Sequence, residues 1–138
     1  MNDIGISDVW RGAAFVIAIQ MAAFAWRVSR EVAVADRGDV TWLPPADIMN
    51  LVAIVVAFLG VFVLPVLGIG SSTVAALALG LSIVLFVGYP FAIAGHYDLF
   101  ERGPRSWAPA PRQEKLAIAA TSVAAALCLG VVALAQFR

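Results

Sequence analysis

Four long apolar runs are the feature that most constrains what this chain can fold into. A helix that crosses a bilayer needs about 20 mostly apolar residues. In hydrocarbon the backbone polar groups must be paired within the segment, so each run is predicted to be a helix. The predicted helices span about residues 9–28, 48–67, 73–97 and 115–137.

Composition indicates the same class of protein. The chain has 138 residues, of which 62% are hydrophobic and 13% are charged. A soluble domain is roughly 45–50% apolar and about 25% charged, and a small one buries only a modest share of its surface. We therefore predict an all-α integral membrane protein, in which four transmembrane helices form two antiparallel hairpins in one bundle. Residues 1–138 are predicted to form a single domain.

The first apolar run is expected to remain in the protein as a transmembrane helix. A cleaved signal peptide begins with a positively charged segment. Here Asp3 and Asp8 precede the run, against the single basic residue Arg11.

The distribution of Lys and Arg predicts the orientation of the bundle. Two long loops, at about residues 29–47 and 98–114, and the helix ends beside them hold Arg27, Arg30, Arg37, Arg102, Arg105, Arg112 and Lys115. The opposite side holds Arg11 and Arg138. Loops rich in Lys and Arg stay in the cytoplasm. The chain is thus predicted to be a multi-pass protein of the cell (plasma or inner) membrane, with both termini outside the cytoplasm.

Charge and cysteine content limit the partners to be expected. Nine basic and nine acidic residues give a formal net charge of zero, so nothing favours binding to nucleic acid. The one cysteine, Cys128, has no internal disulfide partner and does not make a metal site. No cofactor is predicted. The expected partners are membrane lipids and either further copies of the chain or a larger membrane complex.

Local chemistry predicts where the helices begin and turn. The pair Pro44-Pro45 stops the preceding segment and offers Asp47 as the N-cap of the second helix. The cluster Ser71-Ser72-Thr73 can cap the third helix, and Gly68 and Gly70 supply the turn before it.

The interior of the four runs is predicted to hold little ionisable chemistry. All charged residues are assigned to loops or helix ends, which argues against a proton-coupled transporter with a carboxylate in the membrane. The most polar residue deep in the first run is Gln20, and Ser82 lies in the middle of the third. They are interpreted either as the lining of a pore or as an interhelical polar contact.

The end of the third run is the most distinctive stretch. Pro90 removes a backbone hydrogen bond and is predicted to kink the helix, while Gly88 and Gly95 permit close approach of a neighbouring helix. The sole histidine, His96, follows at the predicted cytoplasmic interface.

His96, Tyr97, Asp98 and Arg102 are the candidate ligand-binding residues. If the helix continues past His96, Asp98 and Arg102 are paired at i,i+4 spacing. The group is either a proton-handling or ligand-binding site or an interfacial anchor. No catalytic residue and no metal site are predicted.

Small residues recur along the fourth run, among them Ala120, Ala124, Ala126 and Gly130, and small faces let helices approach closely in lipid. The favoured function is therefore that of a non-enzymatic accessory, assembly or scaffold subunit that acts through helix packing. One alternative is an oligomeric channel or small transporter. The other is a lipid-binding or lipid-modifying protein that uses the cytoplasmic end of the third helix.

Overall fold

Four helices account for nearly all of the described residues. The computed structural model describes residues 5–38, 41–101 and 108–136, with side chains through residue 134. The helices are α1 (Ile6–Ala35), α2 (Pro45–Val66), α3 (Ser72–His96) and α4 (Arg112–Gln136). Each is long and apolar enough to cross a membrane, and the described residues contain no strand. The predicted class, a four-helix membrane bundle, is confirmed.

The helix α3 is the centre of the bundle and contacts each of the other three helices. Residues buried in the bundle recur at intervals of seven, the spacing at which left-handed helix packing repeats. They are Ala13, Gln20 and Arg27 in α1, and Ala75, Ser82, Tyr89 and His96 in α3.

The buried interior changes character along the bundle axis. At one end, near the α2–α3 turn, Val9, Ala13, Val61 and Ala75 form an apolar cluster. At the other end α1 and α3 finish and α2 and α4 begin. This second end is called the charged end below, because it holds the buried charged side chains. A bundle that places its polar groups inside and its large apolar groups outside is suited to lipid rather than water.

Large apolar side chains cover the outer surface of the bundle. Phe15 and Trp26 on α1 are 68% and 67% exposed, and Leu134 on α4 is 69% exposed. In water such a surface would aggregate, whereas hydrocarbon solvates it.

Two helix boundaries differ from the prediction and change the site. The helix α1 runs through Ala35, and at 30 residues it is about 45 Å long, well beyond the roughly 30 Å hydrocarbon core. The helix α2 begins at Pro45, with Pro44 at the N-cap position and no side-chain cap bond. The prediction that Asp47 caps α2 is therefore wrong: Pro suits the first helical position, and Asp47 lies inside the first turn.

The turn between α2 and α3 follows the prediction. Ser71 is the N-cap of α3, and its hydroxyl accepts a hydrogen bond from the backbone N–H of Val74 at 3.3 Å. Gly68 and Gly70 have φ angles of +71° and +106°. These left-handed conformations favour glycine.

One feature of α2 is not evident from the sequence. Residues Phe58–Val63 form a π-helical segment inside the helix. Gly60 lies in this segment, and a Cβ atom there would overlap the side chain of Ala78 on α3. The glycine thus lets α2 and α3 touch at this level. The predicted bend site, Pro90, lies within the continuous helix α3.

Candidate functional site

Charged side chains are buried inside the bundle at its charged end. Arg27 is 2% exposed, and Asp47 and Glu114 are 0% exposed. Asp47 and Glu114 lie in the first turns of α2 and α4, near helix ends as predicted. Arg27 was also predicted to lie near a helix end, but α1 continues to Ala35, eight residues further on. The burial of all three side chains inside the bundle was not predicted.

Arg27 is the hub of the first group of contacts. Its Nε donates to Asp47 Oδ2 at 3.1 Å, and its Nη2 lies 3.2 Å from Glu31 Oε1. Its Nη1 donates to the hydroxyl oxygen of Tyr97 at 2.9 Å. Asp47 Oδ1 also accepts a hydrogen bond from the hydroxyl of Tyr89 at 2.7 Å. The guanidinium and the carboxylate are thus paired with each other and hydrogen-bonded on their remaining sides, as a buried ion pair requires.

Glu114 is the hub of the second group. Its Oε2 lies 2.9 Å from His96 Nδ1, and its Oε1 accepts the backbone N–H of Ala46 at 2.9 Å. That N–H belongs to the first turn of α2, where no side chain of α2 caps it. The indole of Trp42 meets the His96 ring edge-on, with centroids 6.2 Å apart. Glu114 therefore joins α4 to both α2 and α3.

Glycines on α3 let α4 come close enough for these bonds. A Cβ atom at Gly95 would lie 2.6 Å from the backbone carbon of Gln113 and 2.6 Å from the backbone nitrogen of Glu114. A Cβ atom at Gly88 would overlap the side chain of Thr121. The predicted close approach at Gly88 and Gly95 is confirmed.

A third polar group lies nearer the middle of the bundle. Gln20 Nε2 donates to Ser82 Oγ at 3.0 Å, and Asn50 Nδ2 donates to the backbone carbonyl oxygen of Gln20 at 3.2 Å. All three side chains are 0% exposed. Beyond them, toward the other end, the apolar cluster of Val9, Ala13, Val61 and Ala75 closes the interior.

The candidate ligand-binding residues are partly brought together. His96 is 4% exposed and contacts Glu114, and the Tyr97 ring lies edge-on to the His96 ring with centroids 5.2 Å apart. The helix α3 ends at His96, so the continued helix on which Asp98 and Arg102 were predicted to face each other is not observed. Asp98 has a φ angle of +53° and lies after the helix end, and Arg102 lies outside the described residues.

The position of one basic residue is also revised. Arg27 was grouped with the basic residues of the two long loops and the helix ends beside them, and it is buried in the bundle instead. Arg30, its neighbour on α1, is half-buried, with its guanidinium carbon 4.6 Å from the centroid of the Tyr97 ring. That distance is short enough for a cation–π interaction.

Sequence reasoning did not identify Arg27, Asp47, Tyr89 and Glu114 as site residues. A signal was present in the spacing. Gln20 and Arg27 are seven residues apart, and Ser82, Tyr89 and His96 follow one another at the same interval. Polar residues at a heptad interval within apolar helices lie on one packed face.

The arrangement is suited to locking helices together. The first group joins α1, α2 and α3, and the second joins α2, α3 and α4. In the part of the chain that the structure describes, no group of three His, Cys, Asp or Glu side chains could hold a metal ion.

The fold and the interior together define a class: a four-helix membrane bundle with a buried, internally paired charge network. Comparison with protein-family models, with curated proteins and with solved structures finds no match to this chain.

Proposed function

We propose that the protein is a non-enzymatic membrane subunit that acts through helix packing, as an accessory, assembly or scaffold component. The main observation in support of this proposal is that the buried charged side chains are paired with other groups of the same chain. Arg27 and Asp47 form an ion pair within the chain, and the Glu114 carboxylate is hydrogen-bonded to His96 and to the backbone N–H of Ala46. A transport or catalytic site instead presents a charged group to an open path or to a bound substrate.

The closed interior supports the same proposal. The polar groups end at the apolar cluster of Val9, Ala13, Val61 and Ala75. A water-filled path for ions through one copy of the bundle would have to pass this cluster. Sealed packing of this kind gives the helices one fixed arrangement, on which an outer surface of defined shape can be presented.

We infer that α4 is the face through which the protein associates with a second copy or a larger membrane complex. The main contacts of α4 are with α3, so most of its surface faces outward. Leu127 and Val131 are 64% and 67% exposed, and a Cβ atom at Gly130 would meet nothing within 4 Å. An open small residue between exposed apolar ones permits close helix contact in lipid.

Cross-linking through the native thiol tests this association. Cys128 is exposed on α4. A short bis-maleimide added to membranes is expected to give a product of about twice the 14.5 kDa chain mass, or a product with a partner subunit. Cys128→Ser is expected to abolish the product.

A moved cysteine is the matched control. Phe15→Cys in the Cys128→Ser background places the thiol on the exposed face of α1 and is expected to cross-link much less. A chain that is strictly monomeric by native mass spectrometry in mild detergent, and that co-purifies with nothing, contradicts the proposal.

We also propose that the charged end faces the cytoplasm of a cell (plasma or inner) membrane and that both termini lie outside. Cysteines introduced at Ile69 and Arg37 in the Cys128→Ser background test the orientation, since both positions are exposed in links at opposite ends of the bundle. A membrane-impermeant maleimide is expected to label Ile69→Cys in intact cells and Arg37→Cys only after the membrane is disrupted. The reverse pattern rules the orientation out.

A further inference from the structure

Two buried oxygen atoms in the middle of the bundle have no hydrogen-bond donor among the described residues. They are Gln20 Oε1 and Asn50 Oδ1, and both side chains are 0% exposed. Buried polar atoms are nearly always paired, either with protein groups or with ordered water. Two such acceptors, on residues that are hydrogen-bonded to each other, therefore point to a missing donor.

The two residues are joined by a hydrogen bond that fixes the orientation of the Asn50 amide. Asn50 Nδ2 donates to the backbone carbonyl of Gln20, so that turning the Asn50 amide over would set oxygen against oxygen. Gln20 Nε2 is used in the bond to Ser82 Oγ. Ser82 accepts that bond and keeps its own hydroxyl proton to donate. The site thus offers two acceptors and one donor.

We propose that Gln20, Asn50 and Ser82 hold a water molecule in the centre of the bundle. The water donates one proton to Gln20 Oε1 and the other to Asn50 Oδ1, and accepts the hydroxyl proton of Ser82. Three hydrogen bonds are the usual number for a buried water. This binding site is additional to the helix-packing role proposed above and does not depend on it.

Charge favours water over a cation at this position. The nearest carboxylate along α2 is Asp47, one turn before Asn50, and it is already paired with Arg27 at 3.1 Å. No unpaired negative charge in the described interior offsets a cation, and an uncompensated charge in a low-dielectric interior is costly. A neutral donor satisfies the same two oxygens without that cost.

The position of the site along the bundle follows from the burial pattern. The apolar cluster of Val9, Ala13, Val61 and Ala75 lies on one side of the site. On the other side lie Arg27 and Tyr89, seven residues along α1 and α3 from Gln20 and Ser82. We therefore place the water between the apolar cluster and the buried side chains of the charged end.

Nuclear magnetic resonance of the full chain in lipid nanodiscs tests the proposal. With ¹⁵N-labelled Gln and Asn side chains, the Gln20 and Asn50 amide protons are expected to show nuclear Overhauser cross-peaks to water. Asn50→Leu removes one acceptor and fills its space, and is expected to abolish the Gln20 cross-peak. Absence of both cross-peaks in the folded wild-type protein shows that the site is dry and overturns the proposal.

A salt titration separates water from a cation. The Gln20 and Asn50 side-chain signals are expected to stay unchanged when sodium chloride replaces choline chloride at equal ionic strength. A saturable shift of both signals with sodium, accompanied by loss of the water cross-peaks, would overturn the proposal by showing that the occupant is an alkali cation.

Discussion

Replacing Asp47 with alanine is expected to lower the free energy of unfolding by about 3–5 kcal/mol, the cost of leaving one partner of a buried ion pair uncompensated. The group left without its partner is the guanidinium of Arg27, a side chain that is 2% exposed. Glu31 still faces it at 3.2 Å, but from a side chain that is 23% exposed. Tyr89 also loses the acceptor of its hydroxyl proton. Reversible unfolding in mixed micelles, followed by tryptophan fluorescence, measures the change.

A double variant shows whether the loss arises from the unpaired charge of Arg27. Arg27→Met combined with Asp47→Leu removes both charges and fills similar volume, which is often neutral or stabilising. The double variant is expected to be markedly more stable than Asp47→Ala alone. The exposed pair Asp8 and Arg11, 3.8 Å apart, is the control, and Asp8→Ala is expected to change little. If the Asp47→Ala variant is as stable as the wild type, water reaches Arg27 and the prediction of a buried, uncompensated charge is wrong.

Gly95→Ala is expected to separate α3 from α4 at the charged end. The new methyl group would lie 2.6 Å from backbone atoms of Gln113 and Glu114. Backbone atoms cannot rotate away, so the helices themselves must move. The expected cost is at least the roughly 1–3 kcal/mol of overpacking, and more if the bonds from Glu114 to His96 and Ala46 are lost.

A glycine elsewhere in the same helix is the matched control. A Cβ atom at Gly80 in α3 would meet nothing within 4 Å. Gly80→Ala is expected to be neutral or slightly stabilising, since alanine is the better helix former. Equal stability of Gly95→Ala and Gly80→Ala would contradict the close α3–α4 contact. The same unfolding assay compares both variants.

The sequence was informative where one residue's chemistry decides a local structure. Ser71 caps α3, and Gly68 and Gly70 adopt the left-handed conformations of the preceding turn. The prediction was wrong at Asp47, whose side chain and position near a helix start are typical of an N-cap. Pro44 and Pro45 can begin a helix without such a cap. The Asp47 carboxylate is therefore free to pair with Arg27, 20 positions earlier in the chain.

The candidate site was only half foreseen. Gln20, Ser82 and His96 were selected because each is polar within an apolar run, and all three are buried. Their partners Asn50 and Glu114 were not selected, because each lies near the start of a helix where a polar residue is ordinary. The rotation of each helix about its axis decides which polar side chains contact one another. That rotation depends on contacts between segments that are distant in the sequence.

The sequence by itself determined that lipid surrounds the helices, how many helices there are and in which order they follow. The reason is that a run of about 20 apolar residues leaves the backbone no alternative to a membrane-spanning helix. Only the tertiary structure decided that three charges belong inside. Burying Arg27, Asp47 and Glu114 is unfavourable for each side chain alone, and becomes tolerable only when the assembled helices supply every one with a partner. That compensation is a property of the whole bundle, which no single run of residues contains.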